Sequence, residues 1–334
     1  MTTSLAEPIN VWREYWVSRR HVETADVITL TLHAPDNRAQ PGQHLILLAP
    51  VEGGLRREYS LSRIGPDELD ITVKREGVVS RWLHDSIEVG DRLEATAPRG
   101  SFLLGDRSDP LVLLSCGIGV TPLLAMAREA LARGRAVHFI HVARDRAHHA
   151  LRGQIEALQG SGGLVRHTTY KHAEQGSADC DHVGEFTTEH LTKLLPAGPA
   201  EIKICGPSRF MQAMYDATRQ LGIARDDVAW EAFGPSTVVL PEVREPSRLE
   251  DPEQPRVIFA KTGSEARWDP ECGNLLDFAE EHGVFPNYSC RQGSCDSCRR
   301  QWRAVTPNTS TNHSRTQVRD SCCSAAAAPP AMSN

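Results

Sequence analysis

Apolar and polar residues alternate along two early stretches, 27–35 (VITLTLHAP) and 68–75 (ELDITVKR), and 44–50 (HLILLAP) reads as a further strand between them. A period of two marks strands that bury one face. Pro and Gly punctuate them, as in QPGQH (40–44) and EVGD (88–91), and a short helix is expected at 80–87 (SRWLHDSI). Residues 1–108 therefore read as a small antiparallel barrel. The pattern changes at residue 109. PLVLLS (110–115) is a continuous apolar run, as for a strand covered on both faces. A helical period follows over 121–134 and ends at Gly134, and AVHFIHVA (136–143) is a second buried strand. EIKICGP (201–207) and SRFMQAMYDATRQLG (208–222) repeat the strand–turn–helix scheme. Strands alternating with helices predict a doubly wound parallel sheet over 109–240.

Residues 241–255 (PEVREPSRLEDPEQP) are rich in Pro, Glu and Asp, have no period, and read as an extended linker. A third unit, 256–334, opens with RVIFAKTG and continues through a helical NLLDFAEEHG (274–283). A chain of 334 residues is long enough for two or three domains. The formal net charge of -6 argues against a nucleic-acid partner. The longest apolar run is far too short to span a membrane, and the first residues lack a basic segment followed by an apolar one. A cytoplasmic monomer is the expectation. In such a compartment nine cysteines suggest metal or redox chemistry rather than a disulfide framework.

Four constellations carry candidate chemistry. In RREYSLS (56–62), Arg57 can pair with a phosphate, Tyr59 can stack or hydrogen-bond along a flavin, and Ser60 can reach the reactive edge of its ring. The same residues also suit an ordinary edge strand. In SCGIGVTPLL (115–124), Gly117 and Gly119 lie between a buried strand and a helix that Thr121 could cap, with bare N–H groups suited to a pyrophosphate. A plain tight turn would look similar. CGPSRFM (205–211) ends another buried strand, which places Cys205 where ligands of open α/β sheets bind, although a lone Cys is commonly a small buried hydrophobe. WEAFGP (230–235) sets Glu231 and Phe233 near the end of the sheet.

The fourth is CRQGSCDSC. Cys290, Cys295 and Cys298 stand at the C-x4-C-x2-C spacing of plant-type [2Fe–2S] sites, in which a distant fourth Cys completes the set. Zinc sites are usually built from two paired units, and only one pair is present. Cys272 reads as structural, and Cys180 lies in a loop without a partner pattern.

In this order the motifs resemble the ferredoxin–NADP⁺ reductase superfamily with a C-terminal plant-type ferredoxin domain, the arrangement of the oxygenase reductases. REYSLS, VKREGVVSRWLHD and WEAFGP make the first two domains similar to the reductase half of the flavohemoglobins. The resemblance implies a flavin-binding barrel, an NAD(P)-binding α/β domain and an α+β, β-grasp ferredoxin-like domain. It implies that Arg57, Tyr59, Ser60 and Leu61 bind FAD and that Val78, Val79 and Ser80 lie near its phosphates. Gly117, Gly119, Thr121, Cys205, Gly206 and Pro207 would hold the dinucleotide, and Ser60, Cys205, Glu231 and Phe233 would meet at the flavin edge.

Residues 299–334 depart from the family. They contain no Leu, Ile, Phe or Tyr and carry five Arg against one acid. Such a segment is poorly suited to bury a strand face. One reading is a shifted reading frame just after Cys298, which would leave the domain truncated or scrambled. The other is a divergent tail in which Cys322, or alternatively Cys323, is the fourth ligand.

The function implied is an electron-transfer reductase. NADH gives a hydride, FAD accepts it, and [2Fe–2S] passes single electrons to a separate oxygenase or other redox protein. A plain NAD(P)H flavin reductase with a vestigial or metal-binding C-terminal module is the alternative. Arg144 and Arg146, after the second strand, point toward NADPH, whereas the flavohemoglobin-like resemblance points toward NADH.

Overall fold

The computed structural model describes residues 11–51, 54–159, 162–173, 178–233, 238, 256–259, 263–268, 275, 278–279, 282, 284, 299–301 and 321–323. Six antiparallel strands of the first unit close into a barrel: β1 (Arg13–Thr24), β2 (Val27–His33), β3 (His44–Ala49), β4 (Leu55–Ile64), β5 (Glu68–Lys74) and β6 (Arg92–Ala95), in the order β1-β2-β5-β4-β3-β6. Closure leaves no free edge. Ile28, Leu30, Leu32, Leu45, Leu47, Leu61, Leu69, Ile71 and Val73 supply much of the interior. Each such residue contributes about 1.5–3 kcal/mol by leaving water. Thr29 and Thr31, polar partners in the alternation, are buried as well. Thr29 is satisfied across the pair by Thr72, 2.9 Å between hydroxyl oxygens. The expected short helix is α1 (Val78–Ser86), which begins two residues before the expected start.

The rest of this unit is a parallel sheet of β7 (Leu111–Cys116), β8 (Val137–Ala143), β9 (Leu164–Tyr170), β10 (His182–Val183), β11 (Glu201–Cys205) and β12 (Val228–Glu231), ordered β10-β9-β8-β7-β11-β12. The helices are α2 (Val120–Ala132), α3 (Arg152–Leu158), α4 (Thr188–Leu194) and α5 (Ser208–Gln220). The chain builds outward from β7 to β8 and β9, then returns to β11 on its other side. The two halves therefore diverge at β7 and β11, which opens a crevice at their carboxyl ends. α2 is buried along most of its length, from Val120 to Ala127 and at Ala130, and lies against barrel strand β4. That contact sets the glycine turn before α2 beside the RREYSLS strand.

The second unit, Val239–Asn334, is separate. β13 (Arg256–Phe259) and β14 (Ser264–Arg267) form an antiparallel pair. Val257, Trp268, Leu275 and Phe278 make its core, with the Trp268 and Phe278 rings 5.1 Å apart. β15 (Arg299–Gln301) pairs antiparallel with β16 (Ser321–Cys323).

Candidate active site

Register assembles the site. Cys205 at the end of β11 pairs with Ser115 of β7 on one side and with Glu231 of β12 on the other. Across the domain boundary, Ser60 of β4 donates its hydroxyl to Glu231 Oε2 at 3.0 Å. Ser60, Cys205 and Glu231, distant in the chain, are thereby brought together at the divergence of the sheet.

The electrostatics follow from enclosure. Burial pushes the Glu231 carboxyl up to about 8, the nearby Glu58 charge adds to this, and the Ser60 hydrogen bond opposes it. Glu231 therefore favours its protonated form at neutral pH. Burial holds the Cys205 thiol well above its ordinary range and the Cys116 thiol at about 11, so neither is a thiolate nucleophile at neutral pH. Tyr59 is held above the usual phenol range by burial, with Arg57 pulling the other way. Its hydroxyl stays neutral and able to donate.

Arg57 is exposed on β4, and one Nη donates to the Arg56 carbonyl at 2.7 Å. Among the described residues no carboxylate pairs with it. Leu61 is fully buried and belongs to the barrel core. Val78, Val79 and Ser80 form the first turn of α1, where backbone N–H groups have no helical acceptor. The Ser80 hydroxyl is turned back onto the loop, accepting from the N–H groups of Gly77 (2.8 Å) and Glu76 (2.9 Å). Any anion at this turn must meet backbone N–H groups rather than that hydroxyl.

The glycine turn is one 3₁₀ turn, Gly117–Gly119, running into α2. Gly117 has φ +56°, in the left-handed region that favours glycine, with open space beside its Cα. At Gly119 a Cβ would come within 2.3 Å of the Cys205 carbonyl oxygen, so only glycine lets the two strand ends approach. Thr121 does not cap the helix as the sequence suggests. The 3₁₀ turn starts the helix earlier, Gly119 is the N-cap, and the Thr121 hydroxyl donates to the Ile118 carbonyl at 3.1 Å. Gly206 packs against Cys116 and Phe210, and Pro207 is the N-cap of α5. Phe233, just past β12, is 45% exposed.

Two residues here escape sequence reasoning. His44 pairs with Ser60 across β3 and β4, and its buried ring lies 3.7 Å from the Glu58 carboxylate. Burial, and then the Arg99 charge, lower it to about 4, so it is neutral. The β3–β4 register was the signal that would have placed both beside Ser60. Cys290, Cys295, Cys298 and Cys272 lie outside the described residues. The backbone of Cys322 pairs with Arg300, and that of Cys323 with Arg299.

Three family models match in order: the oxidoreductase FAD-binding domain over 15–103, the oxidoreductase NAD-binding domain over 113–216, and the 2Fe-2S iron-sulfur cluster binding domain over 259–327. A flavohemoprotein of Pseudomonas putida is 37% identical over 241 residues, a match covering 68% of this chain and 60% of that protein. The chain thus spans about 60% of the length of such relatives. Among solved structures, the flavohem-like FAD/NAD binding domain of nitric oxide dioxygenase from Vibrio cholerae is 30% identical with TM-score 0.62, covering 67% of this chain and 99% of that one. Phthalate dioxygenase reductase shares the fold at 22% identity and TM-score 0.59, over 87% of this chain and 86% of that one. No helix among the described residues is long and apolar enough to cross a membrane. With a closed barrel, a doubly wound sheet and three domain matches in this order, the chain belongs to the ferredoxin–NADP⁺ reductase superfamily, as a flavohemoglobin-like FAD/NAD(P) reductase unit followed by a [2Fe–2S] ferredoxin domain.

Proposed function

We propose that the chain is an NADH-dependent reductase that passes electrons through FAD and [2Fe–2S] to a separate terminal acceptor, an oxygenase or another redox protein. The observation that carries this reading is the Ser60–Glu231 hydrogen bond, which ties the barrel to the sheet at its divergence point. The described residues suit a flavin and a dinucleotide. Arg57 is exposed and free of carboxylate partners among them, and Gly117 leaves open space beside a turn of backbone N–H groups. In the second unit, three cysteines at C-x4-C-x2-C spacing offer thiolates suited to iron. When bound, the flavin converts a two-electron hydride donor into single electrons for the cluster.

The chain's own groups position and hold protons. Arg57 offers a guanidinium to phosphate, Tyr59 and Ser60 offer hydroxyl groups, and the first turn of α1 at Val78 to Ser80 offers N–H groups. For the dinucleotide we propose the two turns Gly117–Thr121 and Cys205–Pro207: Gly117 is half-buried and Pro207 exposed, while Gly119, Thr121, Cys205 and Gly206 are buried behind them and support the turns. Glu231 keeps a proton at neutral pH next to the Ser60 hydroxyl. Phe233 is free to cover a ring at the edge of the sheet. As the fourth cluster ligand we propose Cys322, with Cys323 the alternative. Supporting this, the backbone of β16 carries both residues opposite β15, which begins immediately after Cys298, and the 2Fe-2S family match extends to residue 327.

The test is the visible spectrum of the purified protein with iron and acid-labile sulfide analysis, followed by NADH addition without oxygen. Flavin bands with added cluster absorbance, both bleached by NADH, are expected. Flavin bands alone, without sulfide, would favour a plain flavin reductase.

A further inference from the structure

In a doubly wound sheet the adenosine ribose of a dinucleotide is met just beyond the second strand. Here that strand is β8, and Arg144, Asp145 and Arg146 follow it. Two arginines at this place offer the geometry that binds a 2′-phosphate. Both are already engaged. Arg146 pairs with Asp179, which arrives from the segment between β9 and β10, and the two side chains are 53% and 38% exposed. A ligand can therefore reach them. Arg144 Nη1 donates to His148 Nε2 at 3.2 Å, and His148 Nδ1 donates to Asp145 Oδ1 at 2.7 Å. The guanidinium of Arg144 is thus linked through the His148 ring to a carboxylate. On the neighbouring strand exit, Lys171 lies 3.6 Å from Glu185. Each of these cations faces, directly or through one ring, a negative group.

We infer that Asp179, by occupying Arg146, makes this chain select the unphosphorylated ribose of NADH over the 2′-phosphate of NADPH. The inference rests on the reading that this end of the sheet binds a nicotinamide dinucleotide. A 2′-phosphate has to displace the Asp179 carboxylate from Arg146 and then stay beside it, like charge against like. A 2′-hydroxyl brings no charge and can donate a hydrogen bond to a carboxylate. Asp179 acts through Arg146 and is a positioning residue.

The experiment is titration calorimetry of 5′-AMP and 2′,5′-ADP into the full chain at low ionic strength, for wild type, Asp179→Asn and Asp179→Asn/Arg146→Gln. The kcat/KM values for NADH and NADPH with ferricyanide as acceptor accompany it. Asp179→Asn should raise the affinity of 2′,5′-ADP relative to 5′-AMP about tenfold, about 1.4 kcal/mol. The NADPH to NADH ratio of kcat/KM should move with it. Adding Arg146→Gln should abolish the gain, and 0.5 M KCl should shrink it. A ratio unmoved by Asp179→Asn in a protein that binds 5′-AMP, or a gain that persists without Arg146, would overturn this inference alone. A wild-type protein that binds neither nucleotide would overturn the dinucleotide reading together with it.

Discussion

Replacing Glu231 by glutamine should flatten the fall in stability with rising pH. In the folded chain burial holds this carboxyl at about 8, against an ordinary value of 4.5. Below pH 4.5 both folded and unfolded chains carry the proton, and the full contribution is present. Between 4.5 and 8 only the folded chain keeps it, so stability declines as pH rises and the contribution is gone above 8. The difference of 3.5 (8 minus 4.5) sets a ceiling of about 5 kcal/mol at about 1.36 kcal/mol for each pH unit. Glu231 is only partly enclosed by its own chain, and solvent screening brings the expected span to about 2–3 kcal/mol. Glutamine keeps an acceptor for the Ser60 hydroxyl and has no proton to lose. Urea unfolding at steps from pH 5 to 9, followed by circular dichroism, should give coincident stabilities near pH 5. By pH 9 the variant should be more stable by that span. Parallel curves for the two proteins over the whole range would refute a proton held on Glu231.

Arg57→Ala should release FAD by removing a charge-assisted contact of about 1.5–3 kcal/mol, and flavin occupancy after dilution and gel filtration measures it. Gly119→Ala would press a methyl to within 2.3 Å of the Cys205 carbonyl oxygen. Overpacking of about 1–3 kcal/mol should follow, read as a lower melting temperature, whereas an unchanged melt would mean that the strand ends can separate freely. If Cys322 is the fourth thiolate, Cys322→Ser should lose cluster absorbance and acid-labile sulfide while Cys323→Ser retains both. Loss on Cys323→Ser alone would move the assignment by one residue. A full complement of cluster in both variants would exclude this strand as the source.

Much of this architecture is legible locally. The alternation at 27–35 and 68–75 and the apolar runs at 110–115 and 201–205 set the strands, because side-chain direction along a backbone depends only on its own period. Turn chemistry is equally local, which is why the Gly117–Gly119 and Cys205–Pro207 turns stand out in the sequence as candidates for binding a ligand. The same reasoning fails within a residue or two at helix starts. Thr121 looks like a cap until the preceding 3₁₀ turn is seen to shift the N-cap to Gly119. It also passes over β10, whose two residues are too few to show a period.

Long-range chemistry belongs to the tertiary structure alone. Ser60 and Glu231 are 171 positions apart, and only barrel closure and strand register bring their oxygens to 3.0 Å. The proton on Glu231 follows from that enclosure and from Glu58, since the cost of a buried charge depends on the surrounding medium and not on neighbours in the chain. Arg146 reads in the sequence as a candidate phosphate ligand; its ion pair with Asp179, 33 positions on, is visible only in the fold. Period and turn chemistry are properties of a dozen consecutive residues, whereas a site's charge is the sum over everything that the fold brings within a few ångströms.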